Sequence, residues 1–379
     1  MKWRKDTSLY IFVLVTGLLV FVFLTLFVSS ASKKEAGVIS ARSATLYEPE
    51  TNRFLYEKDA DIRLPMASTT KIMTALVAIE NASIEETVSV APEAIGVEGS
   101  SAYLREGDVL TMEELLYALL LQSANDAAVA IAYHVGGSVE EFADMMNERA
   151  VSLGLVNTHF TNPHGLDDKE HYTTARDLAI IAAEALKNDT FKQISSTYKK
   201  RFQSEERERN YVNHNKLLNK YSGCIGVKTG FTKKSGRCLV GAAEKNGLSF
   251  ITVTLNAPCD WSDHEKLFDL GFDTLERITL ARAEEYCYIL PVLGAEKETL
   301  TVKNSEGLSF ITESREHNIV PHIRLSKFAV APICEGDILG EVIFTSDGEV
   351  VGSVKLTADE FIERKSKIGF WKGLFSKVG

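Results

Sequence analysis

The chain opens on an uncharged run of 20 residues, Leu9 to Val28, preceded by Lys2, Arg4 and Lys5 and followed by Ser29-Ser30-Ala31. Cations, an apolar stretch and small residues in that order form a secretory signal. As a helix the run would rise about 1.5 Å per residue, enough for a hydrocarbon core of about 30 Å. Residues 1–31 therefore read as a signal peptide cleaved after Ala31 or as a retained anchor. In either case the positive charges precede the span, which puts the remainder outside the cytoplasm.

Beyond that segment the period of the pattern changes three times. Ser43-Ala44-Thr45-Leu46-Tyr47 and Phe54-Leu55-Tyr56 flank the turn-forming Glu48-Pro49-Glu50-Thr51-Asn52, a hairpin signal. Pro65 and the small polar residues after it open a helix with Met66, Ile72, Met73, Leu76, Val77 and Ile79 as its apolar positions. Thr111 and Glu114 form a capping box ahead of Leu115–Leu121. Further helices are expected over 125–134, 139–153 and 174–187, and the charged stretch 199–209 reads as a solvated helix or loop face.

After Gly226 the period returns to two. Ile225–Thr229 and Cys238–Ala243 read as a hairpin, and Asn246-Gly247 turns the chain into Leu248–Leu255. A helix over 263–275 closes the segment. Strands at both ends with helices between them predict one sheet assembled from the two ends of the domain, with helices packed on it. From Thr279 short alternating strands follow (Cys287–Val292, Glu298–Val302, Glu341–Phe344 and Val350–Leu356), separated by turns such as Asp347-Gly348, and these predict a small all-β domain. The final stretch, from Phe361, holds five cations against Glu363, with Ile368, Trp371, Leu374, Phe375 and Val378 at helical spacing. A basic amphipathic helix of this kind suits a membrane surface.

Composition adds two limits. A net charge of −10 over 379 residues, with 45% apolar residues, describes a globular chain and argues against a nucleic-acid partner bound through phosphate neutralisation. The five cysteines (Cys224, Cys238, Cys259, Cys287 and Cys334) lack the close pairing of a zinc site. Buried free thiols are the expectation for them, with one disulfide open. No cofactor or metal is expected.

The candidate chemistry lies in three short motifs. Ser68-Thr69-Thr70-Lys71, Ser123-Ala124-Asn125 and Lys228-Thr229-Gly230 occur in that order, 55 and then 105 residues apart. Ser68 at a helix start sits near the positive end of the dipole, and Lys71, three residues on, shares its face. A lysine serves as base only when its pKa falls, through burial or a second cation such as Lys228. Ser123 can relay a proton and Asn125 can hold an amide. Lys228-Thr229-Gly230 on a strand can pair with an extended peptide, Lys228 and Thr229 binding a carboxylate while Gly230 allows close approach. The backbone N–H groups of Ser68 and Phe231 are candidates for an oxyanion hole. Taken singly, each motif reads equally well as a helix cap or an exposed strand lysine.

Together they resemble the serine penicillin-recognising enzymes. The strings Leu64–Leu76, Leu121–Ala128, Asn162-Pro163-His164-Gly165-Leu166 and Gly226–Thr232 are similar to low-molecular-weight penicillin-binding proteins of the D-alanyl-D-alanine carboxypeptidase type. The resemblance implies an α/β (α+β) β-lactamase/transpeptidase-like catalytic domain over 38–278, with a β-rich domain over 279–358 and a membrane-associating tail over 359–379. It implies acylation of Ser68 by a peptidoglycan stem peptide with loss of terminal D-Ala, Lys71 as base, Ser123 as relay, Asn125 on the substrate amide, and Lys228 and Thr229 on the terminal carboxylate. β-Lactams would acylate the same serine, and the enzyme would act at the extracytoplasmic face of the bacterial cell membrane.

Two departures stand out. Phe231 replaces a histidine found in some relatives, and the loop Ala257–His264 carries neither Lys nor Arg where many relatives have a basic residue, which would throw carboxylate recognition onto Lys228. His164 and His264 could approach a site or serve as hydrogen-bonded structural histidines. A β-lactamase, a membrane-tethered β-lactam or muropeptide sensor, and an inert scaffold are the competing readings. The first lacks a recognisable water-activating acid between Asn125 and Lys228, and the second lacks a signalling segment.

Overall fold

The computed structural model describes residues 37–203 and 207–365. The apolar run Leu9–Val28 and all but the first five residues of the basic stretch lie outside these. Among the described residues no helix is long and apolar enough to cross a membrane.

The strands of the first domain are β1 (Ser43–Glu48), β2 (Arg53–Lys58), β3 (Thr87–Ser89), β4 (Val109–Thr111), β5 (Lys199–Gln203), β6 (Glu208–Val212), β7 (Cys224–Thr232), β8 (Gly236–Lys245) and β9 (Leu248–Leu255). Five of them form an antiparallel sheet in the order β2-β1-β9-β8-β7, so the N-terminal hairpin and the C-terminal meander do share one sheet. β1 lies inside the sheet and is buried at all six positions, because the helix Ala175–Leu186 packs on it and on β9 while the helix Asp260–Thr274 also packs against both strands. A strand covered on both faces loses its alternation. Asn246 (φ 52°) and Gly247 (φ 75°) make the tight turn between β8 and β9 that their pairing anticipates. β7 is an edge strand, and that leaves one side of the Lys228-Thr229-Gly230 backbone free of strand partners.

The helices stand where the 3.6-residue period puts them: Lys71–Asn81, Met112–Leu120, Asn125–Gly136, Val139–Ser152 and Ala175–Leu186. Thr111 caps its helix, its Oγ1 accepting from the Glu114 N–H at 3.2 Å. The Glu114 carboxylate does not complete the capping box in return, because it accepts from the Tyr211 hydroxyl (3.2 Å) and pairs with Arg209 (3.5 Å). Those partners mark a correction. The segment 199–209, expected as a solvated helix or loop, belongs to the β5–β6 hairpin. Outward Lys199, Arg201, Glu208 and Asn210 alternate with inward Lys200, Phe202, Arg209 and Tyr211, and charge at both kinds of position hides the period of two. Lys200 still has an inward partner, its ammonium making a cation–π contact 4.8 Å from the centre of the Tyr117 ring.

The last helix among the described residues, Asp260–Thr274, runs directly into β10 (Leu275–Ala281), which pairs with β13 (Leu308–Glu313). The remaining strands are β11 (Cys287–Leu293), β12 (Thr299–Lys303), β14 (Ile319–Leu325), β15 (Ala329–Val330), β16 (Ile338–Ser346) and β17 (Glu349–Ala358), in a six-stranded sheet ordered β14-β16-β17-β12-β11-β15. Two small cores, one around Leu300 and Val302 and one around Val342 and Phe344, hold this all-β domain. Sequence reading missed β13, β14 and β15, whose side chains are mostly half-buried or exposed. All five cysteines are free. Cys238 is buried and Cys224 partly so, whereas Cys259, Cys287 and Cys334 are exposed, against the expectation of buried thiols.

Candidate active site

Ser68 sits in a single turn of 3-10 helix, Ala67–Thr70, that leads into the helix Lys71–Asn81. Ala67 takes a left-handed φ of 48°, a conformation alanine adopts only under constraint. The constraint is visible. The Thr70 hydroxyl donates to the Ala67 carbonyl (2.8 Å) and is itself held by His171 Nε2 at 2.8 Å. His171 Nδ1 accepts the Thr161 N–H (3.0 Å), so the proton resides on Nε2 and is donated to Thr70. Burial lowers the His171 pKa to about 4, which keeps that neutral tautomer.

Lys71 is fully buried, and its ammonium nitrogen has three oxygen neighbours. Ser68 Oγ lies at 3.0 Å, Asn125 Oδ1 at 2.6 Å and the His164 carbonyl at 2.6 Å. Its pKa falls well below the ordinary lysine value, first through burial and then through the like charge of Lys228. Lys228 is buried as well, and burial lowers its pKa to about 7. Its Nζ donates to the Thr229 carbonyl at 2.8 Å, and its charge is buried rather than on the open surface.

Asn125 begins the helix Asn125–Gly136 and is clamped from both ends. Its backbone N–H donates to the Ser100 carbonyl (2.7 Å) and its Nδ2 to the Glu98 carbonyl (2.5 Å). The loop supplying those carbonyls is pinned by buried Asp126, which accepts from Ser101 Oγ (2.6 Å) and from the N–H groups of Ala102 (2.9 Å) and Leu104 (3.1 Å). Ser123, two residues before Asn125, adopts φ 60° and lines the same cleft as Ser68. One motif thus carries a left-handed non-glycine residue, Ser123, and another is directly preceded by one, Ala67.

The third motif closes the arrangement. A Cβ at Gly230 would come 3.0 Å from the Ser68 nitrogen and 3.1 Å from the Thr69 nitrogen, tight enough that β7 and the nucleophile turn would have to move slightly apart for any larger residue. Thr229, Gly230 and Phe231 line a cleft of about 360 Å³ with Ser68 and Ser123. Phe231 is 66% exposed at its rim. All eight residues singled out from the sequence are therefore gathered around one cleft or directly behind it.

The histidines divide. His264 is structural: its ring bridges the hydroxyls of Thr252 (2.6 Å) and Thr254 (3.0 Å), and burial lowers its pKa to about 3. His164 contributes its backbone carbonyl to Lys71, while its ring accepts the Leu166 N–H at 3.2 Å. Asn162 shapes that turn, its Oδ1 accepting the Gly165 N–H at 2.7 Å and its Nδ2 donating to the Leu166 carbonyl at 3.1 Å. An Asn-Pro-X-Gly string is a turn signal, but nothing local says that the turn's carbonyl meets a lysine far away in sequence. His214, Lys216, Arg237, Asp260 and Trp261 also line the cleft and had no motif to announce them. Among the described residues no group of three or more His, Cys, Asp or Glu could hold a metal ion.

With this geometry in place, comparison with known proteins identifies the family. Residues 29–259 match the D-alanyl-D-alanine carboxypeptidase family, and residues 276–364 match the C-terminal domain of penicillin-binding protein 5. The chain is 32% identical over 377 residues to the D-alanyl-D-alanine carboxypeptidase DacF of Bacillus subtilis, covering 95% of this chain and 97% of that one. It is 36% identical over 243 residues to the D-alanyl-D-alanine carboxypeptidase of Streptomyces sp. strain K15, covering 59% and 84%. Penicillin binding protein 5 from Haemophilus influenzae superposes with a TM-score of 0.62 at 27% identity, covering 86% of this chain and 98% of that one. The chain belongs to the D-alanyl-D-alanine carboxypeptidase family, serine-type hydrolases among the low-molecular-weight penicillin-binding proteins, which β-lactams inhibit.

Proposed function

We propose that Ser68 is the nucleophile and neutral Lys71 its base in removal of the terminal D-Ala from peptidoglycan stem pentapeptides. The observation that carries this reading is the set of three oxygens around Lys71. A neutral amine has two N–H bonds and one lone pair. Asn125 Oδ1 and the His164 carbonyl, both at 2.6 Å and neither able to donate, take the two N–H bonds. The lone pair is left to face Ser68 Oγ at 3.0 Å, where it accepts the hydroxyl proton as Oγ attacks the penultimate carbonyl.

The tetrahedral oxyanion is stabilised by the N–H groups of Ser68 and Phe231. As it collapses, the proton on Lys71 passes to Ser123 while Ser123 gives its own hydroxyl proton to the leaving D-Ala amine, which restores neutral Lys71. Neutral Lys71 then takes a proton from water, whose oxygen attacks the acyl carbon, and returns that proton to Ser68 Oγ as the ester bond breaks. Extended substrate adds along the free edge of β7, with Asn125 on its amide and Thr229 on its terminal carboxylate. A β-lactam follows the same path as far as the acyl-enzyme. Against a β-lactamase stands the one carboxylate that lines the cleft among the described residues, Asp260, which pairs with Arg237 at 2.9 Å instead of standing ready to activate water.

The enzyme acts outside the cytoplasm, with the 359–379 segment and the N-terminal apolar run holding it at the membrane surface. In this reading the β domain spaces the cleft from that surface or meets a partner. Two experiments test the proposal. D-Ala release from a peptide ending in D-Ala-D-Ala, together with covalent labelling by benzylpenicillin, must both vanish in Ser68→Ala while the protein stays folded; release that persists rules out Ser68. With residues 1–31 removed, so that the tail is tested alone, sedimentation with anionic vesicles must be lost when 366–379 are also removed, and binding retained by that doubly truncated chain would reject the tail as the anchor.

A further inference from the structure

We infer that Arg237 is the cation that reads the substrate's free terminal carboxylate, supplying from β8 the charge that the loop Ala257–His264 lacks. The inference rests on the carboxypeptidase reading of the cleft. Lys228 is the cation that the motif offers for this task, but it is buried and its Nζ is turned to the Thr229 carbonyl. Arg237 lines the cleft with a side chain that is 43% exposed.

The strand register explains how it arrives there. Arg237 is the direct antiparallel partner of Phe231, and Thr229 lies two residues along β7. Direct partners and their i+2 neighbours share one face, so Thr229, Phe231 and Arg237 lie together on it. The diagonal from Thr229 to Arg237 spans about 7–8 Å between backbones, within reach of an arginine side chain. The carbonyl of Arg237 accepts the Ala257 N–H at 2.9 Å, which puts this residue at the foot of the loop that has no cation of its own.

Its guanidinium is aimed by two neighbours. Asp260, buried at the start of the helix Asp260–Thr274, accepts from one Nη at 2.9 Å, and Trp261 places its ring 5.6 Å from the guanidinium carbon. Asp260 is itself anchored, its other oxygen accepting the Trp261 N–H at 2.9 Å. A guanidinium has five donors in a planar fork, so pairing with Asp260 leaves donors for a second carboxylate in the cleft. A preset fork of this kind recognises carboxylates in a way that a lysine does not.

The experiment compares matched ligands with and without the carboxylate, in wild type, Arg237→Gln and Arg237→Lys. One pair is a peptide ending in D-Ala-D-Ala and its C-terminal amide, read as kcat/KM. The other is benzylpenicillin and its methyl ester, read as the rate of the covalent mass shift on the protein. Wild type should prefer each carboxylate form by about tenfold or more. Arg237→Gln should lose most of that preference by slowing the carboxylate forms alone, and Arg237→Lys should keep part of it. Because each variant serves as its own control, partial misfolding does not alter the ratio. A preference that survives in Arg237→Gln, whether both forms slow equally or neither slows, overturns the inference. If wild type releases neither D-Ala from the acid nor D-alaninamide from the amide, the carboxypeptidase reading fails, and the penicillin pair still decides for or against Arg237.

Discussion

Lys71 and Lys228 are two buried lysines; burial lowers the pKa of both, and the charge on Lys228 lowers that of Lys71 further. Lys228, with a pKa of about 7 in the fold against 10.5 ordinarily, releases its proton in the folded chain while the unfolded chain still holds one. Stability therefore rises with pH between those two values. In Lys228→Met the penalty is gone, so the melting temperature gained over wild type should be largest near pH 6 and shrink toward pH 10; a gain that does not vary with pH contradicts the assignment. Removing the like charge also raises the pKa of Lys71, so the acid limb of Ser68 acylation should move to higher pH in the same variant. The identities of Ser68, Lys71, Ser123, Asn125 and Lys228 were legible in the sequence because each chemistry needs a particular side chain. Burial of both lysines, which makes one of them a base, was not, since it depends on what the helices Lys71–Asn81 and Asn125–Gly136 pack against.

At the scale of elements, the turn 162–165 shows how a loop can control chemistry. Gly165 has φ 89°, and a Cβ there would fall 2.0 Å from the Ala67 carbonyl and 2.8 Å from Thr70 Oγ1. Gly165→Ala must push the turn away from the nucleophile, taking the His164 carbonyl off Lys71. We expect benzylpenicillin acylation to slow by about tenfold or more, the loss expected for one misplaced contact at the reacting centre, with the circular dichroism spectrum unchanged. An unaltered rate would mean that the carbonyl does not orient Lys71. The hairpin β5–β6 teaches the complementary lesson. Its inward Arg209 and Tyr211 satisfy Glu114 on the helix Met112–Leu120, and a pattern made of charged residues on both faces gives no sign of it. The longer helices with an apolar stripe were legible almost to the residue, although the short helix Asp189–Ser196 was missed; strands whose inward residues are polar were not.

For the whole molecule, Arg277 is the visible link between the catalytic sheet and the β domain. From β10 its guanidinium donates to the Gly247 carbonyl (2.8 Å) and to Ser309 Oγ (2.9 Å), and it also pairs with Glu50 in the turn between β1 and β2. Arg277→Ala should leave Ser68 acylation untouched while separating thermal unfolding into two calorimetric transitions, and a single unshifted transition would show that other contacts couple the domains. The sequence by itself determined the order of motifs, the helical middle, the return of strands after Gly226 and the all-β texture beyond, because these depend on local period and on side-chain identity. Only the tertiary structure decided which oxygens surround Lys71, that Gly230 lies against the Ser68 nitrogen, and that Arg237 reaches the cleft across the edge of the sheet. These depend on strand order and register, which bring residues far apart in the chain within hydrogen-bond distance and leave no local trace.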